Sequence, residues 1–213
     1  MGQQREPLIS LLLYRLFKWS VVYPSFHFGF KGRVLGLDQM PMSGPVIVVC
    51  NHASDFDPPF VASGMGRPLA YMAKQELFQI PILGRLIRWY GAYPVKRGSG
   101  DRAAIRAALQ SLEEGWAVGV FLDGTRTEDG LIHQPKLGAA MIAKQAQAPL
   151  LPVCIWGTHR VLPKGRSRPQ LVPVTIRVGA PIAPPSPKGD RAELQAVTEQ
   201  CQRIINDLHA LGR

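Results

Sequence analysis

Among the runs of this chain that carry no polar side chain are residues 46–50 (Val-Ile-Val-Val-Cys) and 116–122 (Trp-Ala-Val-Gly-Val-Phe-Leu). A strand with one wet face alternates apolar and polar residues, whereas a strand covered on both faces has no reason to. Both runs therefore predict strands buried inside a sheet, and residues 150–156 read the same way. Shorter extended segments are expected at 26–36, 69–73 (ending at Lys74), 91–97 and 172–178. Between them the apolar spacing turns helical. Residues 76–90 carry it with an interruption at Pro81. Residues 101–114 place Ile105, Ala108, Leu109 and Leu112 on one face, with Gly115 set to stop the helix. A helix is expected to start after Asp57, which is placed to cap it, with Pro58 in the first turn, and to run to about Ser63. Another covers 136–147, where Gly138 and Ala139 allow close packing. The last starts near Asp190, with Glu193 three residues on as in a capping box and a stripe of Leu194, Val197, Cys201, Ile204, Ile205, Leu208 and Leu211. Strands alternating with helices predict an α/β fold, a mixed and partly parallel sheet flanked by helices.

The chain has 213 residues and shows no repeat and no long linker. That length suits one domain, or one domain with an appendage. Lys and Arg outnumber Asp and Glu by 25 to 15, a formal charge of +10. Such a surplus suits nucleic acid, an anionic membrane surface or phosphorylated substrates. No nucleic-acid motif is recognised, and the cations are spread along the chain, so nucleic acid is not the expected partner. The three cysteines, Cys50, Cys154 and Cys201, are widely spaced and the five histidines are scattered. Neither pattern predicts a disulfide framework or a metal site.

Residues 8–23 are apolar apart from Ser10, Arg15, Lys18 and Ser20. The run is shorter than the roughly 20 apolar residues that span a bilayer, and it has two cations in its middle. Arg15 and Lys18, three apart, are expected on one helix face. Two readings fit: a helix lying in the membrane interface, or a helix packed on the core. The expected organisation is a membrane-associating segment over 1–30 and a main domain over 31–213.

The run at 46–50 leads into Asn51, His52, Ala53, Ser54, Asp55, Phe56, Asp57, Pro58 and Pro59. His52 and Asp57 are five positions apart, about 500° on a regular helix, so they meet only if the backbone turns between them. A His held by a carboxylate at a strand-to-loop junction is a candidate general base. The pair also has an ordinary reading, a loop histidine beside a helix cap. No Gly-x-Ser-x-Gly elbow accompanies it, and Cys50 reads as core. A base without a protein nucleophile would act on the substrate's own hydroxyl.

A second constellation, Gly124-Thr125-Arg126, follows the buried run at 116–122, where α/β folds place their sites. Arg126 offers a planar fork for phosphate. Arg97 and Lys74 also follow β-like segments, and the three cations together would form an anion pocket. Lys136, ahead of a helix, is a further candidate.

These residues fall into a pattern that resembles the glycerophospholipid acyltransferase family, most closely the lysophosphatidic acid acyltransferases. Asn51, His52 and Asp57 match the family's Asn-His-x4-Asp, and Gly91 with Arg97 matches its Gly-x5-Arg. Phe121-Leu122-Asp123-Gly124-Thr125-Arg126 matches Phe-Pro-Glu-Gly-Thr-Arg with two departures, Leu122 for Pro and Asp123 for Glu. Leu150-Leu151-Pro152-Val153 matches the Pro-bearing strand, and Lys136-Leu137-Gly138 the Lys-x-Gly. The resemblance runs from about residue 30 to residue 180. It implies a glycerol-3-phosphate acyltransferase-like fold. It implies transfer of an acyl group from acyl-CoA or acyl-carrier protein to the sn-2 hydroxyl of a lysophosphatidic acid, with no metal, no other cofactor and no covalent enzyme intermediate. In it His52 is the base, Asp57 orients it, and Arg126, Arg97 and Lys74 hold the acceptor phosphate. Asn51, Asp123, Gly124 and Thr125 support the acceptor site. The enzyme is expected peripherally or monotopically on the cytoplasmic face of the membrane. Another lysophospholipid acceptor, or a catalytically silent binder of anionic lipid, are the alternatives.

Overall fold

The computed structural model describes residues 8–95, 101–162 and 168–213. Among them, seven strands form one sheet in the order β1-β7-β6-β2-β5-β3-β4. The strands are β1 (Arg33–Leu35), β2 (Ile47–Cys50), β3 (Leu69–Lys74), β4 (Ala92–Val95), β5 (Ala117–Phe121), β6 (Leu150–Trp156) and β7 (Thr175–Val178). The helices are α1 (Leu8–Phe17), α2 (Asp57–Gly64), α3 (Pro81–Trp89), α4 (Asp101–Glu113), α5 (Gly138–Ala146) and α6 (Arg191–Ala210). The five strands β6, β2, β5, β3 and β4 run parallel to their neighbours. The exception is at one side, where β7 pairs antiparallel with β6, and β1 follows β7.

The fully apolar runs lie at the centre, as covering on both faces requires. Val46, Val48 and Cys50 point to a core shared with Tyr14, Phe26, Phe60, Met65 and Tyr90, from the α1–α3 side. Ile47 and Val49 point to the opposite core, shared with Ile105, Ala108, Leu112, Ile142, Cys201 and Ile205 of α4–α6. The result is a sheet between two helical layers. Parallel order also brings the carboxyl ends of β6, β2, β5, β3 and β4 to one edge, so the segments after Cys50, Phe121 and Lys74 emerge together. Gly91, whose φ is +84°, turns the chain from α3 into β4. A side chain there would stand 2.6 Å from the Leu69 carbonyl and 3.1 Å from the Trp116 ring, so the backbone crowds out any other residue.

Several local expectations change. The stretch 26–36 holds a strand only at Arg33–Leu35; Ser25–Gly29 is π-helical, as is Lys18–Val22. Lys18, four residues after the buried Tyr14, is buried with it, while Arg15 is exposed, so the two cations do not share a face. Burial, and then the charge of Arg15, hold the Lys18 ammonium below its ordinary pKa. Gly138 meets nothing where a side chain would project; Ala139 and Ala140 make the buried contact of α5. Asp190 does cap α6 by accepting from the Glu193 N–H, but the Glu193 carboxylate reaches back past Asp190 to the Ser186 N–H and does not close a box. Leu211 lies beyond the end of α6 and is 66% exposed, so the apolar stripe stops before it.

The N-terminal segment packs on the core on one side and leaves apolar side chains exposed on the other. Tyr14 stacks on Tyr90 at 4.7 Å, meets Trp116 edge-on at 5.6 Å, and donates its hydroxyl to the Ala62 carbonyl at 3.0 Å. Its other side leaves Leu12, Leu16, Trp19, Val21 and Phe28 exposed. No helix among the described residues is long and apolar enough to cross a membrane.

Candidate active site

The site begins where β2 ends. Asn51 is fully buried and ties three segments together. Its amide donates to the Gly130 carbonyl at 2.7 Å and the Ile155 carbonyl at 2.9 Å, and its oxygen accepts from the Ile155 N–H at 2.8 Å. The backbone then turns between β2 and α2, which lets residues five apart meet. His52 Nδ1 lies 2.8 Å from Asp57 Oδ2. The same oxygen accepts from the N–H groups of Ala53 at 2.6 Å and Ser54 at 2.7 Å. An oxygen already held by two backbone donors accepts from the ring, so Nδ1 carries a hydrogen; in the neutral ring Nε2 is then the nitrogen with the lone pair. The Asp57 side chain is fully buried, while that of His52 is 17% exposed, so Nε2 belongs to the part of the pair that solvent and substrate can reach.

This geometry corrects one expectation. Asp57 is not the cap of α2. Phe56 holds that position, Asp57 is already helical, and its carboxylate turns back to the loop before it.

The remaining site residues divide into three groups. Asp123 is buried, and its two oxygens accept from the backbone N–H groups of His133 at 3.3 Å and Gln134 at 2.7 Å, so it organises the loop after β5. Gly124, at φ +66°, and Thr125 lie in the exposed turn that follows. Arg126 is exposed at the same edge, with its Nη1 2.6 Å from Asp55 Oδ2. Both partners are largely in water, a setting in which ion pairs contribute about 0–1 kcal/mol, so a doubly charged phosphate can compete for the guanidinium. Lys74 is exposed at the end of β3, beside Val95. Two strand spacings, roughly 10 Å, separate β3 from β2. Arg97 lies outside the described residues.

Some contacts carry no sequence signal. Thr127 donates both its N–H (2.8 Å) and its hydroxyl (3.2 Å) to the His52 carbonyl, which pins the loop after β5 to the one after β2. The His52 ring stacks on Phe121, centroids 4.1 Å apart and planes 20° from parallel. Cys50, two residues before His52, is fully buried. Burial, then the nearby Asp57 and Cys154, push its thiol well above the ordinary value, which keeps it from acting as a thiolate. Among the described residues no group of three or more His, Cys, Asp or Glu is placed to hold a metal ion.

Replacing Asn51 by Leu, of similar shape, would leave the Ile155 N–H and two carbonyls buried without partners. The expected cost is about 3 kcal/mol or more, read from denaturant unfolding. A loss under about 1 kcal/mol would mean that water takes over those bonds.

Comparison with known proteins gives the same frame. The family described as Acyltransferase matches residues 31–156. A 1-acyl-sn-glycerol-3-phosphate acyltransferase of Bacillus subtilis is 28% identical over 184 residues, 83% of this chain and 87% of that protein. A chloroplastic 1-acyl-sn-glycerol-3-phosphate acyltransferase of Brassica napus is 29% identical over 147 residues, 68% of this chain. The chain spans about two fifths of that plant relative's length. The crystal structure of the 1-acyl-sn-glycerophosphate (LPA) acyltransferase from Thermotoga maritima superposes with a TM-score of 0.68 at 26% identity, covering 94% of this chain and 95% of that one. With more than half of its length inside the matched region, and the His52–Asp57 pair at the edge of a sheet of this kind, the chain belongs to the acyltransferase family.

Proposed function

We propose that the protein transfers a fatty acyl group from a thioester, acyl-CoA or acyl-carrier protein, to the sn-2 hydroxyl of 1-acyl-sn-glycerol-3-phosphate, giving phosphatidic acid. The observation that carries the reading is His52, its Nδ1 held by Asp57 and its Nε2 left as an acceptor at the exposed edge. The acceptor hydroxyl donates to Nε2 and attacks the thioester carbonyl as its proton passes to the ring. Asp57 stabilises the imidazolium that forms. As the tetrahedral intermediate collapses, the carbon–sulfur bond breaks and the imidazolium returns the proton to the departing thiolate. The net change is one ester formed and one thiol released. No protein nucleophile is involved, in keeping with the buried, neutral Cys50. Arg126, leaving Asp55 for the more highly charged phosphate, together with Arg97 and Lys74, anchors the acceptor. Asn51, Asp123, Gly124 and Thr125 hold the loops that frame it. As written, the reaction draws on no metal or other cofactor.

The acceptor is a membrane lipid, and we place the enzyme peripherally on the cytoplasmic face. Leu12, Leu16 and Trp19 of the N-terminal segment and Ile82, Leu83 and Trp89 at α3 are exposed. The two helices are joined through Tyr14, which stacks on Tyr90, and Phe17, which meets the same ring edge-on. The exposed cations Arg15, Arg85 and Arg88 accompany this apolar surface, which suits an anionic bilayer.

Incubating the protein with lysophosphatidic acid and each donor, in detergent or lipid, should yield phosphatidic acid. Lysophosphatidylcholine and lysophosphatidylethanolamine compete as acceptors in the same assay. No product with either donor, or a strong preference for one of the competitors, would overturn the assignment. His52→Ala should lower the rate about 10²–10⁴-fold with the fold intact, and an active variant would remove the base from the mechanism. The native protein should co-sediment with vesicles containing phosphatidylglycerol, and Trp19→Glu should lose most of that binding; unchanged sedimentation of the variant would contradict the docking surface.

A further inference from the structure

A hydrogen bond fixes one atom of an imidazole; it does not fix the ring plane. With Nδ1 anchored on Asp57, the ring can still swing about that anchor, because the second torsion of a histidine side chain has broad wells. The direction of Nε2 then needs a second constraint. Phe121 supplies a face contact, nearly parallel to the His52 ring, with centroids at 4.1 Å. Phe121 is in turn backed by Tyr71, centroids 5.5 Å apart and planes 16° from parallel. The three rings form one column.

The column rests on the sheet. Tyr71 on β3 and Gly119 on β5 are direct register partners, and Phe121 lies two residues beyond Gly119 on the same face of β5. A side chain at Gly119 would collide with the Tyr71 ring, so the glycine opens the hollow in which that ring lies. Tyr71 is 4% exposed, and its position is further closed in by the core on the α1–α3 side.

Resting on the assignment of His52 as the base, we infer that Phe121 and Tyr71 are positioning residues that set the plane of the His52 ring and so aim Nε2 at the acceptor hydroxyl. The face of Phe121 also attracts the imidazolium that develops during proton transfer more than it does the neutral ring. Both effects act on the reacting state more than on acceptor binding, so they should appear in kcat and leave KM nearly unchanged.

Phe121→Leu keeps the apolar bulk and removes the ring. It should lower kcat about 10- to 100-fold with KM changed less than about twofold. Phe121→Tyr, which restores a ring face, should recover most of the loss. Tyr71→Leu should fall in the same direction by less, and Tyr71→Phe should stay closer to the native enzyme than Tyr71→Leu does. A readout independent of turnover is the His52 Nδ1–H proton signal in NMR of the uncomplexed protein. It should be resolved in the native chain and Phe121→Tyr, and broadened in Phe121→Leu as the ring gains freedom. Full activity of Phe121→Leu, or a raised KM at unchanged kcat, would overturn the inference, the second outcome making Phe121 a wall of the acceptor site. If His52→Ala proves active, the base assignment fails, whereas the NMR comparison still decides whether Phe121 orders the ring.

Discussion

One carboxylate oxygen organises the centre of this molecule. Asp57 Oδ2 accepts from the His52 ring and from the N–H groups of Ala53 and Ser54, all within 2.8 Å. The two backbone bonds shape the turn that joins β2 to α2, and the ring bond fixes the tautomer of His52. The same atom therefore shapes the loop and orients the ring proposed as the base. Removing Asp57 would undo both at once, and a loss of activity in such a variant would not by itself separate orientation from local folding.

That turn works only because the sheet delivers it to the right place. β2 lies between β5 and β6, all three parallel, so its end is flanked by the loops that follow Phe121 and Trp156. Asn51 binds both neighbours, through Gly130 and Ile155, and Thr127 binds the carbonyl of His52 itself. Buried, hydrogen-bonded groups such as Asn51 hold the end of β2 rigidly against its neighbours. The exposed edge is held more loosely: among the described residues Arg126 pairs with Asp55, and both side chains are largely in water, a setting in which ion pairs contribute little.

The central strands were legible in the sequence because burial on both faces removes every polar residue from them, and α4 because its apolar face repeats at the helical period. The meeting of His52 and Asp57 was legible as a requirement for a backbone turn between them. The N-terminal segment was ambiguous for a physical reason: a helix with Tyr14 in the core and Leu16 and Trp19 outside has the same composition as one lying wholly in a lipid interface. The π turns at Lys18–Val22 and Ser25–Gly29 leave no compositional mark. Asp before Pro58 has the form of a helix cap whichever way its side chain turns, so the sequence offers Asp57 both a cap and a His52 partner and the folded loop keeps the second. The partners of Asn51 lie 79 and 104 residues away, so no local pattern could announce them. The stack of His52 on Phe121 depends on register between neighbouring strands, which is likewise a property of the folded sheet.

The most direct measurement is a crystal structure with 1-acyl-sn-glycerol-3-phosphate bound in the absence of an acyl donor, where the acceptor cannot react. The account predicts its sn-2 hydroxyl within about 2.6–3.2 Å of His52 Nε2, and its phosphate on Arg126 in place of Asp55. A lipid bound with its hydroxyl out of reach of His52, and with the Arg126–Asp55 pair intact, would contradict it.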